Sequence, residues 1–191
     1  MAGRKKGQPG YIRVRKMKYL LGALIEFGVV IALLVLGYMQ TGSRLNLFTV
    51  IAAVGCLPAS KMLVEFITMA PYGSIPSDIH KEIEKKAPLL PKLYDLIITS
   101  TEKVMPVSVM LFCGHTVCGY AQSDRIDEVQ CAGYLKEKLE ENGYEKMTVK
   151  IFRDYRAFLA RAEGMNNIIV VEQKERKLEE NIGKIILTLS M

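Results

Sequence analysis

The chain has 191 residues, of which 50% are hydrophobic and 24% charged, with a mean hydropathy of +0.15 and a formal charge of +6. That length suits one domain with appendages, and the positive hydropathy excludes a disordered, highly solvated chain. Four Cys in 191 residues exclude a disulfide-stapled secreted scaffold.

The charge is concentrated at the start. Residues 1–70 carry nine basic side chains (Arg4, Lys5, Lys6, Arg13, Arg15, Lys16, Lys18, Arg44 and Lys61) against Glu26 and Glu65, a net +7. Residues 71–191 hold 17 basic and 18 acidic side chains, a net −1. Nucleic-acid binding draws on a concentrated basic face that neutralises phosphates, and no such face is expected after residue 71. Seven of the nine early charges precede Tyr19. Residues 1–18 therefore read as a basic cytoplasmic arm lying against anionic lipid headgroups, at about 1 kcal/mol per nearby charge.

Residues 19–70 read as a transmembrane helical hairpin. The segment from Tyr19 to Met39 has 21 residues and one charge, about 31 Å as a helix, which matches a hydrocarbon core of about 30 Å. A cleaved signal peptide is a poor fit, because the run is long and a second apolar run follows directly. The second span starts at Leu45 after a polar loop ending in Arg44, and is expected to extend to about residue 66, with a kink at Pro58. Seven basic residues before the first span, against Arg44 alone in the loop, place both termini in the cytoplasm and the protein in the cell membrane. Glu26, Lys61 and Glu65 are the charges within the hairpin. Counted from Gly42, Glu26 and Lys61 lie at comparable depth and are expected to pair, and Lys61 and Glu65 share a helix face. Such a seam could serve a relay, an ion or a larger membrane partner; the plainer reading is a salt bridge near the cytoplasmic interface with Lys61 snorkelling.

A stiff linker (residues 71–76, with Pro71, Gly73 and Pro76) leads to a cytoplasmic α/β domain over 77–191. Ser77 is expected to be the N-cap, with Asp78 in the first turn, of a helix running to Pro88 or Pro91. LYDLIITST (93–101), bounded by Glu102, VSVMLFC (107–113) and TVCGYA (116–121) read as strands, the last two joined by a Gly114-His115 turn of type II′. An amphipathic helix is expected over Asp124–Asn142 on Ile126, Val129, Tyr134, Leu135 and Leu139, stopped by Gly143. MTVKIF (147–152) is a strand, Asp154 to Ala162 a short helix stopped by Gly164, NIIVV (167–171) a strand, and the last helix carries Leu178, Ile182, Ile185, Ile186 and Leu189. The expected order is α-β-β-β-α-β-α-β-α: an α/β (α+β) domain with a mixed sheet flanked by helices.

Cys113, His115, Cys118 and Cys131 are the only metal-like cluster, with spacing C-x-H-x2-C-x12-C. The strand register puts Cys113 opposite Thr116 and Leu111 opposite Cys118, so both Cys lie diagonally on one face. Small buried hydrophobes in a reducing cytoplasm account for these cysteines more simply than a metal site or a catalytic Cys–His couple does, and neither a metal nor a cofactor is assigned. Asp95 in a strand and Asp154 at a helix start are isolated carboxylates, for which structural roles are the ordinary reading. No Walker loop, G-x-G-x-x-G, H-E-x-x-H or G-x-S-x-G occurs.

The α-β-β-β-α-β order resembles the restriction-endonuclease-like core. That family carries an Asp in its second strand and a Glu-x-Lys in its third, the carboxylates holding metal and the Lys aiding the attacking water. Here VSVMLFC and TVCGYAQ hold neither an acid nor a Lys, so the resemblance implies a scaffold without the catalytic motif. The sequence is expected to encode a membrane-anchored, non-catalytic protein-interaction or scaffolding module. Its expected partners are the bilayer and a membrane protein, cytoplasmic protein or second copy. The alternative is a membrane-tethered enzyme or ligand sensor whose site residues are dispersed along the chain.

Overall fold

The computed structural model describes residues 5–43, 46–100, 103–123, 126–171 and 177–190. Arg44, Leu45, Glu102 and Asp124, which mark the loop charge, the start of the second apolar run, a strand boundary and a helix start in the sequence, lie outside the described residues, as does Arg4 of the arm. The chain divides into two units, Ile12–Gly73 on the one hand and Met1–Tyr11 with Ser74–Met191 on the other.

The first unit is a hairpin of two helices, α1 (Tyr11–Thr41) and α2 (Leu47–Met69). Both are long and apolar enough to cross a membrane, with mean hydropathies of 2.6 and 1.9 over their best windows. Helix α1 has 31 residues because Arg13, Arg15, Lys16 and Lys18 belong to its first turns. Helix α2 continues through Pro58 to Met69. Apart from Ile12 and Met69 near the helix ends, the buried positions recur every seven residues: Ala23, Val30 and Gly37 on α1, Ala52 and Ala59 on α2. That period keeps one seam facing the neighbouring helix, and small side chains on it let the backbones approach. A Cβ on Gly37 would come 2.7 Å from Phe48 Cβ, and one on Gly55 3.3 Å from Val30 Cγ2. Asn46 fastens the turn. Its Oδ1 caps α2 by accepting from Thr49 N–H at 2.9 Å, and its Nδ2 donates to Thr41 Oγ1 at 3.0 Å and Ser43 O at 2.9 Å.

The second unit carries a mixed four-stranded sheet in the order β1 (Lys92–Thr99), β2 (Val104–Cys113), β3 (Thr116–Tyr120), β4 (Thr148–Phe152). The first two pairings are antiparallel and β3–β4 is parallel, crossing over through α4 (Glu128–Glu141). Helices α3 (Ser77–Lys86) and α5 (Tyr155–Val171) supply Ile83, Phe158, Ala162 and Met165 to the core on one face. Helices α4 and α6 (Lys177–Leu189) supply Cys131, Leu135, Leu139, Ile182 and Ile186 to the core on the other. The terminal stripe of α6 thus packs on the chain's own sheet, as a terminal amphipathic helix does. The element order α3-β1-β2-β3-α4-β4 is present, and β2 and β3 hold no acid and no Lys.

Three expectations are corrected. The segment 167–171 is not a strand: α5 runs unbroken from Tyr155 to Val171, through Gly164. Phe158, Ala162, Met165 and Ile169 recur at helical spacing on one core, and a short apolar run has no periodicity of its own to oppose them. A Cβ on Gly164 would meet nothing within 4 Å, so this glycine costs about 1 kcal/mol of helix propensity and no more. The order is therefore α-β-β-β-α-β-α-α, with four strands among the described residues. Second, α4 begins after Asp127, whose Oδ1 accepts from Val129 N–H and Gln130 N–H at 3.0 Å. Val129 then lies in the first turn and is 82% exposed instead of facing the core. Third, Pro76 and not Ser77 is the N-cap of α3, with no side-chain cap. Gly143 does terminate α4, at φ +83°, and its N–H donates to Glu140 O.

Candidate functional site

The most constrained place in the second unit is the middle of β1. Tyr94, Val109 and Leu111 belong to the core under α3 and α5, whereas Leu96, Ile98, Met105 and Val107 belong to the core under α4 and α6. An unbroken pleat would put residues 94, 96 and 98 on one face. The pairing Tyr94↔Val109 and Leu96↔Val107 stays in register, so both strands reverse their faces between these two pairs, at Asp95 and Ser108. Asp95 makes the reversal with a left-handed φ of +53°, which a short polar side chain tolerates best after glycine. Its side chain is buried at 2% exposure. Oδ1 accepts from Ile75 N–H at 2.8 Å, and Oδ2 has no hydrogen-bond partner.

Beside it, on the α3 side, is a polar network. Tyr94 OH donates to Glu84 Oε1 and Lys92 Nζ to Glu84 Oε2, each at 2.7 Å. The His80 ring stands edge-on to Tyr94, with centroids 4.9 Å apart, and its Nε2 is 3.8 Å from Glu84 Oε1. Partial burial alone would raise the Glu84 carboxyl. The bonds from Lys92 and Tyr94, with the Lys92 and His80 charges, outweigh that and hold it below the usual carboxylate range. Burial first, then the Glu84 carboxylate, pushes the Tyr94 phenol up and keeps it protonated. The network locks α3 to β1. Tyr94 and Asp95 are both buried beneath it.

The thiols and imidazole do not converge. Cys113 pairs with Thr116 and Leu111 with Cys118, the register read from the sequence. Cys118, however, faces the α3–α5 core and Cys131 the α4–α6 core, so the sheet separates them. His115 is exposed in the turn, and Cys113 Sγ lies 3.7 Å from Met165 O. Among the described residues no group of three or more His, Cys, Asp and Glu could hold a metal ion. Burial pushes the Cys118 and Cys131 thiols up to about 12, far from the range of a reactive thiolate.

Within the hairpin the charges meet differently from the expected pair. Tyr19 accepts from Arg15 Nη2 at 3.0 Å, Lys16 Nζ donates to Ala70 O at 2.7 Å, and Gly55 stands against Val30. These contacts set Glu26 level with Ala59 and Lys61 level with Leu24. No ion pair joins Glu26 to Lys61 among the described residues. Glu26 falls between Ala23 and Val30 on the seam, and its Oε2 is buried with no hydrogen-bond partner. Lys61 is two residues from the buried Ala59, hence on the far side of α2, and is exposed. Asp154 stays a local cap, its Oδ1 accepting from Arg156 N–H at 2.9 Å.

Sequence reasoning passed over Asn46, Glu84 and Glu179. Asn46 before an apolar run is an N-cap signal that was there to be read. Glu179 is 7% exposed and its Oε1 accepts from Gly114 N–H at 2.8 Å, tying α6 to the β2–β3 turn, a contact across 65 residues with no local signature. No protein-family model, curated protein or solved structure matches this chain.

Proposed function

We propose that this is a two-span protein of the cell membrane, with both termini cytoplasmic. In this reading its α/β unit is a non-catalytic interaction module that docks a membrane or cytoplasmic protein. The observation that carries the proposal is the outer surface of the hairpin. Leu24, Ile25, Ile31, Val50, Leu57 and Val64 are each more than half exposed there, on helices of hydropathy 2.6 and 1.9. So much exposed apolar surface calls for a solvent other than water. The basic residues before Tyr19 favour the cytoplasmic side and contact with anionic headgroups. The near-neutral 71–191 segment, and the engagement of Glu84 by Lys92 and Tyr94, support an interaction role over catalysis. A cysteine placed at Ser43 is expected to react with an impermeant thiol reagent in intact cells, and one at Ser77 only after permeabilisation. The reverse pattern, or equal labelling of both, rejects the topology.

A further inference from the structure

The chain leaves the α/β unit after Tyr11 and returns to it at Ser74. Four residues before the first crossing, Gly7 O accepts from Tyr94 N–H at 2.8 Å. One residue after the second, Ile75 N–H donates to Asp95 Oδ1, also at 2.8 Å. Two consecutive residues of β1 thus hold the two segments that connect the unit to the helical hairpin. We infer that Tyr94 and Asp95 form a paired tether, a conformational device in which freeing either connecting segment loosens the other.

Both seats are built for their segments. Gly7 sits at φ +86°, and a Cβ there would come 2.8 Å from Leu93 Cδ2 and 3.1 Å from Leu187 Cδ2, so only glycine lies flat on the strand edge. Lys6 Nζ adds a bond to Ser190 O beside it. Asp95 keeps a left-handed backbone, a buried carboxylate and an orphaned Oδ2 for the sake of one bond to Ile75. Strain and an unsatisfied polar atom at one residue are features that persist only when the surroundings over-determine them. The coupling has a local cause. The amide that binds Gly7 and the side chain that binds Ile75 are one residue apart across the pleat reversal, so relaxing the reversal re-aims both.

The test is residue-resolved amide exchange on the full-length protein in detergent micelles. Asp95→Gly suits the left-handed backbone and deletes only the acceptor. It is expected to speed Ile75 exchange about tenfold or more, with a smaller rise, about threefold, at Tyr94. Gly7→Val unseats the arm and is expected to speed Tyr94 and, through the reversal, Ile75. Asp95→Asn keeps a carbonyl acceptor and is expected to leave Ile75 within about twofold of the parent. Leu135 and Leu139 amides in α4 report the global fold and are expected to hold their rates throughout. An Ile75 amide that stays protected in Asp95→Gly overturns the tether. Acceleration confined in both variants to the amide whose own partner was removed overturns the pairing. Acceleration that includes Leu135 and Leu139 equally makes Asp95 a general stability residue and overturns the proposal as well.

Discussion

Asp95 and Lys146 are the non-glycine residues in left-handed backbone among those described, at φ +53° and +63°, for unlike reasons. Asp95 is buried and bonded; Lys146 is exposed in the turn before β4, with no resolved role for its side chain. Lys146→Gly is therefore expected to stabilise the protein by about 0.5–1 kcal/mol, seen as a higher urea midpoint, by removing the Cβ penalty of that conformation. The cysteines set the alkaline limit. Cys118 and Cys131 ionise only at about 12 in the fold because burial penalises the thiolate, while unfolded thiols ionise near about 8.5. Above that value the unfolded chain loses protons that the folded one keeps, so their contribution is complete below about pH 8.5 and drains away as pH rises toward 12. The raised Tyr94 and Tyr155 phenols act in the same direction. The melting temperature is expected to fall above about pH 9, and Cys118→Ala with Cys131→Ala to flatten that fall. Both thiols are expected to escape alkylation at pH 8 until denaturant is added, as mass spectrometry of the labelled peptides would report.

At the scale of elements, α5 offers the sharpest check. If Gly164 ended a helix, replacing it would strain a left-handed stop. Since it lies inside α5 with open space around its Cα, Gly164→Ala is expected to stabilise by about 0.5–1 kcal/mol, measured by thermal melt. What the sequence made legible followed from local physics. The two long apolar runs, the turn at Gly114-His115 with its register, the stop at Gly143 and the stripe on α6 are all carried by neighbouring residues. What it hid depended on phase or distance. Four apolar residues at 168–171 fit a strand as well as a helix turn, and only the packing of Phe158, Ala162 and Met165 chose. Glu26 and Lys61 were matched in depth, but depth is one coordinate of a helix and azimuth the other. The pleat reversal at Asp95 has no composition signal, and its partners lie 20 and 87 residues away in the chain.

For the whole molecule, the α/β unit includes residues at both ends of the hairpin: Gly7 rests on Leu93 and Leu187, and Ile75 is buried in the α3–α5 core. A fragment beginning at residue 77 lacks both and is expected to melt below a chain in which a flexible Gly/Ser loop replaces residues 12–73. The gap between the two melting temperatures, recorded under one buffer, measures what those short segments contribute. Burial of Ile75 alone is worth about 1.5–3 kcal/mol, which at about 4 °C per kcal/mol for a unit of somewhat more than about 100 residues is a gap of roughly 6–12 °C. Equal melting temperatures would show that the domain begins at residue 77.

The Lys16–Ala70 contact has a kinetic meaning as well. Gly7 and Tyr94 are 87 residues apart, and the bond between them closes a long loop. Once the hairpin has formed and Lys16 meets Ala70, the path left to close is nine residues on one side and 24 on the other. By the logarithmic cost of loop closure that saves about 0.9 kcal/mol, or about fourfold in encounter probability. Pairing of the two helices thus shortens the search for β1: a chain whose helices have already met begins it with the ends half-delivered.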